Sequence, residues 1–469
     1  MPRYPGNAMT RNATLTRRDL LRLGVLAGAG LPWLDGSILL GQEKPAPTRF
    51  LDAAVKAARW LRTTRVQTPQ GLLWLSGPER PEGLDSSPNL YTGSSGVVLF
   101  LLELGRATGD KAYLEEAAAG ADFLRATLPE APDPVLGETG LYTGVAGIGF
   151  ALHQTFKATG NEAFRRGADR CRDLLHAAAK PAGAGVEWGP VTDIVGGAAG
   201  TGLYLLHASR ETGDSASREL AARAGLRLIE LGIPEEGGLK WKMAPDFPRL
   251  MPNFSHGTAG VAYFLAVLHQ ETGRKEFLDA ALAGARYLRA VANTTGDGCL
   301  IHHHEPEPDG RNLYYLGWCH GPVGTARLFY QLHRSTGDAA WLDWVRKGAG
   351  SILASGIPET PTPGFWNNLG QCCGSAGVAD FFLRLHRLTG EDRYLAFARR
   401  VTNDLLARAT PTPGDGLKWI HAEHRARPEY TYAQTGYMQG AAGIGMLLLH
   451  MDAVERGREW TFRLPDSPY

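Results

Sequence analysis

The sequence predicts an all-α fold, an α/α toroid of seven helix hairpins with seven inner and seven outer helices. Three observations lead there. The pattern G-x-x-G occurs seven times, and each copy opens an apolar run. A Thr-Gly step follows six of the seven copies at one fixed distance. An amphipathic run comes after that step.

The first glycines of the pattern are Gly93, Gly144, Gly197, Gly257, Gly321, Gly374 and Gly440. The second are Gly96, Gly147, Gly200, Gly260, Gly324, Gly377 and Gly443. A further glycine lies 16 positions after the first at Gly109, Gly160, Gly213, Gly273, Gly337 and Gly390; in the seventh copy Gly457 falls one place late. The run Val261 to Leu268 is apolar on nearly every side, the mark of a helix buried all round. Thr-Gly ends it, because glycine tolerates the left-handed conformation of a helix C-terminus. Next, Leu278, Ala281, Leu282, Ala285 and Leu288 recur at helical spacing, with Lys275, Arg286 and Arg289 off the stripe. Each copy therefore reads as an inner helix, a tight turn and an outer helix. Seven such pairs close into a ring without capping repeats. Gly-x-x-Trp pieces (Gly71 to Trp74, Gly238 to Trp241, Gly416 to Trp419) lie in the variable segments before the inner helices. The G-x-x-G starts are expected to line one face of the toroid.

Length by itself would suggest about three domains of roughly 150 residues each; in this 469-residue chain the repeat overrides that count. Two regions are expected, a signal and linker over 1–45 and the toroid over 46–469. Charge is balanced, at 49 basic against 48 acidic residues, so nucleic-acid binding has no electrostatic footprint. Near the N-terminus, Thr16-Arg17-Arg18-Asp19-Leu20-Leu21-Arg22 precedes an apolar Gly/Ala-rich stretch to Leu31. This resembles a twin-arginine export signal, the address of a protein that crosses the membrane folded. The stretch is short for a membrane span. The expectation is export to the periplasm or cell envelope, with membrane contact only through this segment; the alternative is a cytoplasmic protein with a basic tail. Five cysteines are too few for a disulfide scaffold in a chain this long.

Positions that change between copies are the candidates for function. The two residues before each first glycine are Tyr91-Thr92, Tyr142-Thr143, Val195-Gly196, Ser255-His256, Cys319-His320, Cys372-Cys373 and Met438-Gln439. Copies four to six, neighbours in the ring, hold every metal-capable side chain. Cys319 and Cys372 occupy the same place in adjacent repeats, and Cys373 adds a third sulfur. Buried free cysteines are often plain core residues, but equivalent placement in neighbouring repeats favours one zinc ion, which takes thiolate or imidazole ligands in a tetrahedron with an open corner when catalytic. His320 is either a ligand or a group acting beside the metal. By contrast, His269, His333 and His386, each 12 positions after a first glycine, read as helix-terminus residues. His302-His303-His304 reads as a polar surface loop.

Gly-Trp-Cys319-His320-Gly, Cys372-Cys373-Gly, Ser-His256-Gly-Thr-Ala-Gly and Asp193-Ile-Val-Gly-Gly-Ala-Ala-Gly resemble the motifs of the lanthionine synthetase C (LanC-like) family. The resemblance runs repeat by repeat over roughly residues 46 to 469. It implies a zinc-containing toroid whose bacterial members add a peptide cysteine thiol to dehydroalanine or dehydrobutyrine, forming thioether rings. It also implies that Cys319 and Cys372 are metal ligands, with Cys373 in place of the more usual histidine, and that Asp193 and His256 hold the acid–base positions. His320 stands where many bacterial cyclases have tyrosine, and Tyr315 where some have arginine. An export signal is unusual beside an activity that normally runs in the cytoplasm.

The expected function is zinc-dependent thiol addition, with a dehydrated peptide or a small thiol as substrate and a monomeric enzyme. A non-catalytic exported toroid that binds a thiol or peptide through zinc is the first alternative. A glycosidase-like toroid is the second; it requires paired carboxylates, for which Asp193, Glu187 and Asp246 are the nearest acids.

Overall fold

The computed structural model describes residues 48–80, 85–130, 138–306, 308–460 and 462–469. The twin-arginine-like segment lies outside these residues. Among those described, no helix is long and apolar enough to cross a membrane.

The inner helices are Ser94–Thr108, Val145–Thr159, Ala198–Thr212, Thr258–Thr272, Pro322–Thr336, Ser375–Thr389 and Ala441–Glu455. Six outer helices follow their inner partners: Lys111–Ala126, Glu162–Ala178, Ser215–Glu230, Lys275–Val291, Ala340–Ala354 and Asp392–Ala407. The seventh comes from the other end of the chain. Arg49–Thr63 packs on Ala441–Glu455, and Thr48 Oγ1 donates to Asp452 Oδ1 at 2.6 Å. The late Gly457 fits this: among the described residues no outer helix follows it, and the last inner helix ends on Arg456 rather than on glycine. The six Thr-Gly steps all end their helices in the left-handed region, with φ between 69° and 76°. Val261 to Leu268 is buried throughout.

The Gly-x-x-Trp pieces form strands of short antiparallel hairpins, five two-stranded sheets in all among the described residues. Strand formation was not anticipated. The hairpins built on these Gly-x-x-Trp pieces are local, and each of them hangs a tryptophan under an outer helix. Trp241 and Trp419 are buried and donate their indole N–H to Leu228 O (2.6 Å) and Leu405 O (2.9 Å).

The inner helices start around a closed annulus of backbone hydrogen bonds. Tyr91 N–H donates to Tyr142 O (2.8 Å), Tyr142 to Val195 (2.9 Å), Ile194 to Ser255 (3.3 Å), Ser255 to Cys319 (2.9 Å), Cys319 to Cys372 (3.0 Å), Cys372 to Met438 (2.9 Å) and Met438 back to Tyr91 (2.9 Å). Each link joins one repeat to the next, so seven links close the ring. The residue in the annulus is the one two places before the first glycine, except at the third, where Ile194 stands in for Val195 as donor.

The second glycine of each motif makes this possible. A Cβ on Gly260 would lie 2.1 Å from Phe254 O, and one on Gly324 2.0 Å from Trp318 O. The same clash, at 1.8–2.2 Å, arises at Gly147, Gly200, Gly377 and Gly443. The annulus strand presses on the first turn of its own inner helix, and only glycine leaves room. Gly260→Ala should therefore lower stability by at least about 1–3 kcal/mol, the usual cost of overpacking. A chemical-denaturation midpoint equal to that of the parent protein would show that the loop can withdraw freely.

Candidate metal centre

Cys319 and Cys372 are consecutive members of the annulus, joined by the Cys319 N–H to Cys372 O bond. Their side chains leave the same backbone position in adjacent repeats, so the sulfurs converge. Cys373 follows directly. Cys319 Sγ lies 2.9 Å from Cys373 Sγ, and Cys373 Sγ 3.4 Å from Cys372 Sγ. All three sulfurs fall within 4.8 Å of one another, the one such metal-competent group among the described residues. The three cysteines are buried and in the free thiol state. They immediately precede the N-termini of Pro322–Thr336 and Ser375–Thr389, whose dipoles favour negative charge there.

Charge within the cluster is shared unequally. Burial pushes the Cys319 thiol pKa well up, and its hydrogen bonds to the other two sulfurs push that of Cys373 well up. Burial opposes charge on Cys372 as well, but hydrogen bonds from Cys319, Cys373 and Tyr91 outweigh it and hold its pKa well below the free-thiol value. Tyr91 itself is steadied by Gln439 Nε2, 3.2 Å from its hydroxyl, and Gln439 by Asn368 Nδ2 at 3.0 Å. The donor set fits zinc. Three clustered sulfurs, rigidly based and facing helix N-termini, suit a soft divalent cation and no harder one.

Beside the cluster, His256 Nδ1 lies 2.6 Å from Asp193 Oδ2. Asp193 is anchored by its other oxygen, which accepts from Gly196 N–H (2.8 Å) and Gly197 N–H (3.0 Å). Asn89, the equivalent residue of the first repeat, makes the same kind of bond to Thr92 N–H at 2.9 Å. One carboxylate oxygen thus does the work of loop architecture, and the second is left for the histidine. Burial lowers the His256 pKa, but the attraction and hydrogen bond of Asp193 outweigh it and the net shift is upward. The imidazole keeps about a third of its side chain exposed (32%), while Asp193 is enclosed.

His320 lies 5.8 Å from the His256 ring, centroid to centroid. Burial drives its pKa well down, and the neighbouring His303 and His256 drive it further. It is a neutral imidazole whose Nδ1 is buried without a hydrogen-bond partner.

All six sequence-selected residues, Cys319, Cys372, Cys373, His256, Asp193 and His320, therefore meet at one mouth of the toroid. The His302-His303-His304 reading needs correction. His302 and His304 are buried, and the His303 ring packs 4.3 Å from His320 and 4.4 Å from Tyr315. Burial and His304 bring the His303 pKa down to about 3. This loop folds inward over the mouth because its own backbone pairs with Leu250, through Glu305. Tyr315 has a hydroxyl whose pKa burial raises and which hydrogen-bonds the Arg425 side chain. Neither contact is visible as spacing, since His303 and Arg425 lie in segments with no counterpart in the other repeats. The helix-terminus reading of His269, His333 and His386 agrees with the structure: each Nδ1 meets the carbonyl five residues on, at 3.0–3.1 Å. The carboxylates Asp193 and Glu187 do not pair; Glu187 is held by Arg227 Nε at 3.1 Å.

A closed α/α ring with three thiols and a His–Asp pair at one mouth defines a narrow class of protein. Residues 85–463 match the sequence profile of the lanthionine synthetase C-like proteins, and the chain belongs to that family. Among solved structures, nisin cyclase superposes with a TM-score of 0.61 at 16% identity, over 88% of this chain and 96% of its own. An inactive variant of an α-1,6-mannanase from Salegentibacter (TM-score 0.48, 14% identity, 87% of this chain and 100% of that one) also matches. So does an unsaturated glucuronyl hydrolase from a Bacillus species (0.46, 16%, 87% and 96%). At 16% identity the likeness to nisin cyclase is one of fold.

Asp193→Asn should lower the titration midpoint of His256, because the carboxylate's attraction and hydrogen bond are what raise it against burial. Histidine ring signals followed by NMR across pH 5–9 would measure this; an unmoved midpoint would remove Asp193 as its electrostatic partner.

Proposed function

We propose that this protein is a zinc-dependent enzyme that adds a cysteine thiol to a dehydroalanine or dehydrobutyrine residue, forming a lanthionine-type thioether in a peptide. The observation that carries the reading is the convergence of three sulfurs with the His256–Asp193 pair at one mouth of the toroid. Membership of the lanthionine synthetase C-like family supports it.

Cys319, Cys372 and Cys373 would hold the metal. When bound, zinc supplies a Lewis acid that keeps a substrate thiol in its nucleophilic thiolate form at neutral pH. The substrate sulfur forms a bond to the β-carbon of the alkene, and the π electrons move to the α-carbon and its carbonyl as an enolate. A proton at the α-carbon completes the addition. His256 is the group to deliver it: its raised pKa keeps a protonated fraction near neutrality, and Asp193 holds it by Nδ1, leaving Nε2 for the substrate. The proton of the entering thiol passes to the neutral fraction of His256, which returns it at the α-carbon; His320, held neutral by burial, offers the thiol a hydrogen bond only. The inward-folded His303 and Tyr315 narrow the mouth and limit water.

The same proposal takes residues 1–45 as a twin-arginine export segment and 46–469 as the working domain, monomeric and acting on an already dehydrated peptide.

Cys372→Ala should reduce bound zinc from about one equivalent per chain and abolish thioether formation on a dehydrated peptide. Elemental analysis and loss of free thiol on the peptide, read by alkylation and mass spectrometry, report the two effects separately. Full zinc in the variant would show that the ligand set is wrong. Full zinc in the parent protein without turnover on any dehydrated peptide would favour a binding role.

A further inference from the structure

Residues 460 and 462–469 leave the seventh repeat and cross the opposite side of the ring. Trp460 stacks on His450 of the last inner helix, with centroids 4.7 Å apart. Phe462 packs against Phe150 of the second repeat (6.2 Å), and Tyr469 stacks on Tyr330 of the fifth (5.0 Å). Repeats two and five face each other across the toroid, so the segment spans its diameter and closes the mouth away from the cysteines.

At the middle of this crossing Asp466 is fully buried (0% exposed). One carboxylate oxygen, Oδ2, accepts from Tyr142 Oη (3.0 Å), Trp318 Nε1 (3.2 Å) and an Arg327 guanidinium nitrogen (2.5 Å). Arg327 also donates to the Asp466 backbone carbonyl at 3.0 Å. Tyr142 is a member of the annulus. Trp318 is the residue directly before Cys319. The repeats supply their own comparison. The residue at the Trp318 position is Leu90, Leu141, Ile194 and Phe254 in repeats one to four. At the Arg327 position those repeats carry Leu99, Phe150, Leu203 and Tyr263. Repeats six and seven carry Gln371 and Tyr437 at the first position and Asp380 and Met446 at the second, so the annulus forms with apolar or polar residues there. The fifth repeat, which bears Cys319, instead places an indole donor and a buried cation around a carboxylate brought from 139 residues away.

We infer that Asp466 is a positioning residue for the metal centre: by fixing the Trp318 indole from below, it sets where the Cys319 thiolate stands relative to Cys372 and Cys373. The physical reason is leverage. Trp318 has no freedom to rotate once its edge is bonded and its faces are held by Tyr142 (5.1 Å) and Phe254 (5.7 Å). Its backbone carbonyl in turn presses on Gly324, the start of the inner helix that follows Cys319. The buried carboxylate is compensated by Arg327, which packs on the Trp318 ring at 5.9 Å. Charge compensation of this kind costs stability compared with an apolar plug; it is the retention of an oriented donor beside a metal ligand that the arrangement gains. Partners one shell beyond the ligands commonly change metal affinity by about 10–100-fold.

This inference rests on the reading that the three cysteines bind a metal, and its test separates the two. Cobalt(II) is titrated into the metal-free full-length protein, and the thiolate-to-cobalt charge-transfer band and the visible bands are recorded for the parent, Asp466→Asn and Trp318→Phe, with thermal unfolding alongside. Trp318→Phe keeps an aromatic ring and deletes the one hydrogen bond that links the carboxylate to the cysteine loop, so it decides the matter if Asp466→Asn does not fold. The expected result is cobalt affinity lowered by about 10–100-fold and altered visible bands in both variants. Parent-like affinity and spectra in the folded variants, with or without a lower Tm, would overturn the positioning role. No thiolate band in the parent protein would sink the metal reading itself.

Discussion

The structure depends on a closed circuit of seven backbone hydrogen bonds. Each is worth only about 1 kcal/mol net, but each also fixes the height and angle at which one inner helix begins. A helix bundle held by side-chain packing alone can slide by part of a turn. A bundle whose helix starts are bonded in a circle cannot slide at one position without breaking two links. Two cysteines at the annulus position of adjacent repeats are therefore brought together by the backbone before their side chains do anything. The one step out of register lies between repeats three and four, the pair that carry Asp193 and His256.

The candidate metal centre lies where the repeats stop agreeing. The scaffold demands small residues at the glycines and apolar residues along the inner helices, and it leaves the two residues before the first glycine free. Seven helix N-termini point at that free zone, which makes it hospitable to thiolates and to a substrate anion. The second mouth is treated differently. There the chain lays its own last described segment across the opening, and its buried Asp466 meets Arg327, Tyr142 and Trp318 directly beneath the annulus. The two faces are thus one construction, with the tryptophan before Cys319 as the shared part.

Much of the site was legible because repetition makes its own comparison. Cys319 and Cys372 could be aligned with Tyr91, Tyr142, Val195, Ser255 and Met438, and the exceptions stood out. Residues outside the repeat could not be judged that way. His303 and Arg425 sit in loops of unequal length, and whether such a loop folds outward or over the mouth depends on pairing with distant strands, such as Leu250 with Glu305. A signal for Asp466 did exist: Arg327 is a cation in the middle of an apolar inner helix, which requires a buried acid somewhere. Nothing local says which of 48 acidic residues answers it.

From sequence alone came the helix hairpin, its sevenfold count, the turn glycines and the cluster of metal-capable side chains, because each follows from periodicity, glycine sterics or residue chemistry acting within one repeat. Tertiary structure decided what closes the circle: the outer partner of the seventh inner helix is Arg49–Thr63, from the far end of the chain. It also decided which oxygen of Asp193 faces His256, how close the three sulfurs stand, and that a distant carboxylate underpins one of them. Those outcomes join residues separated by tens to hundreds of positions. Contacts of that kind leave no period in the sequence, and only the closed ring brings the partners within bonding distance.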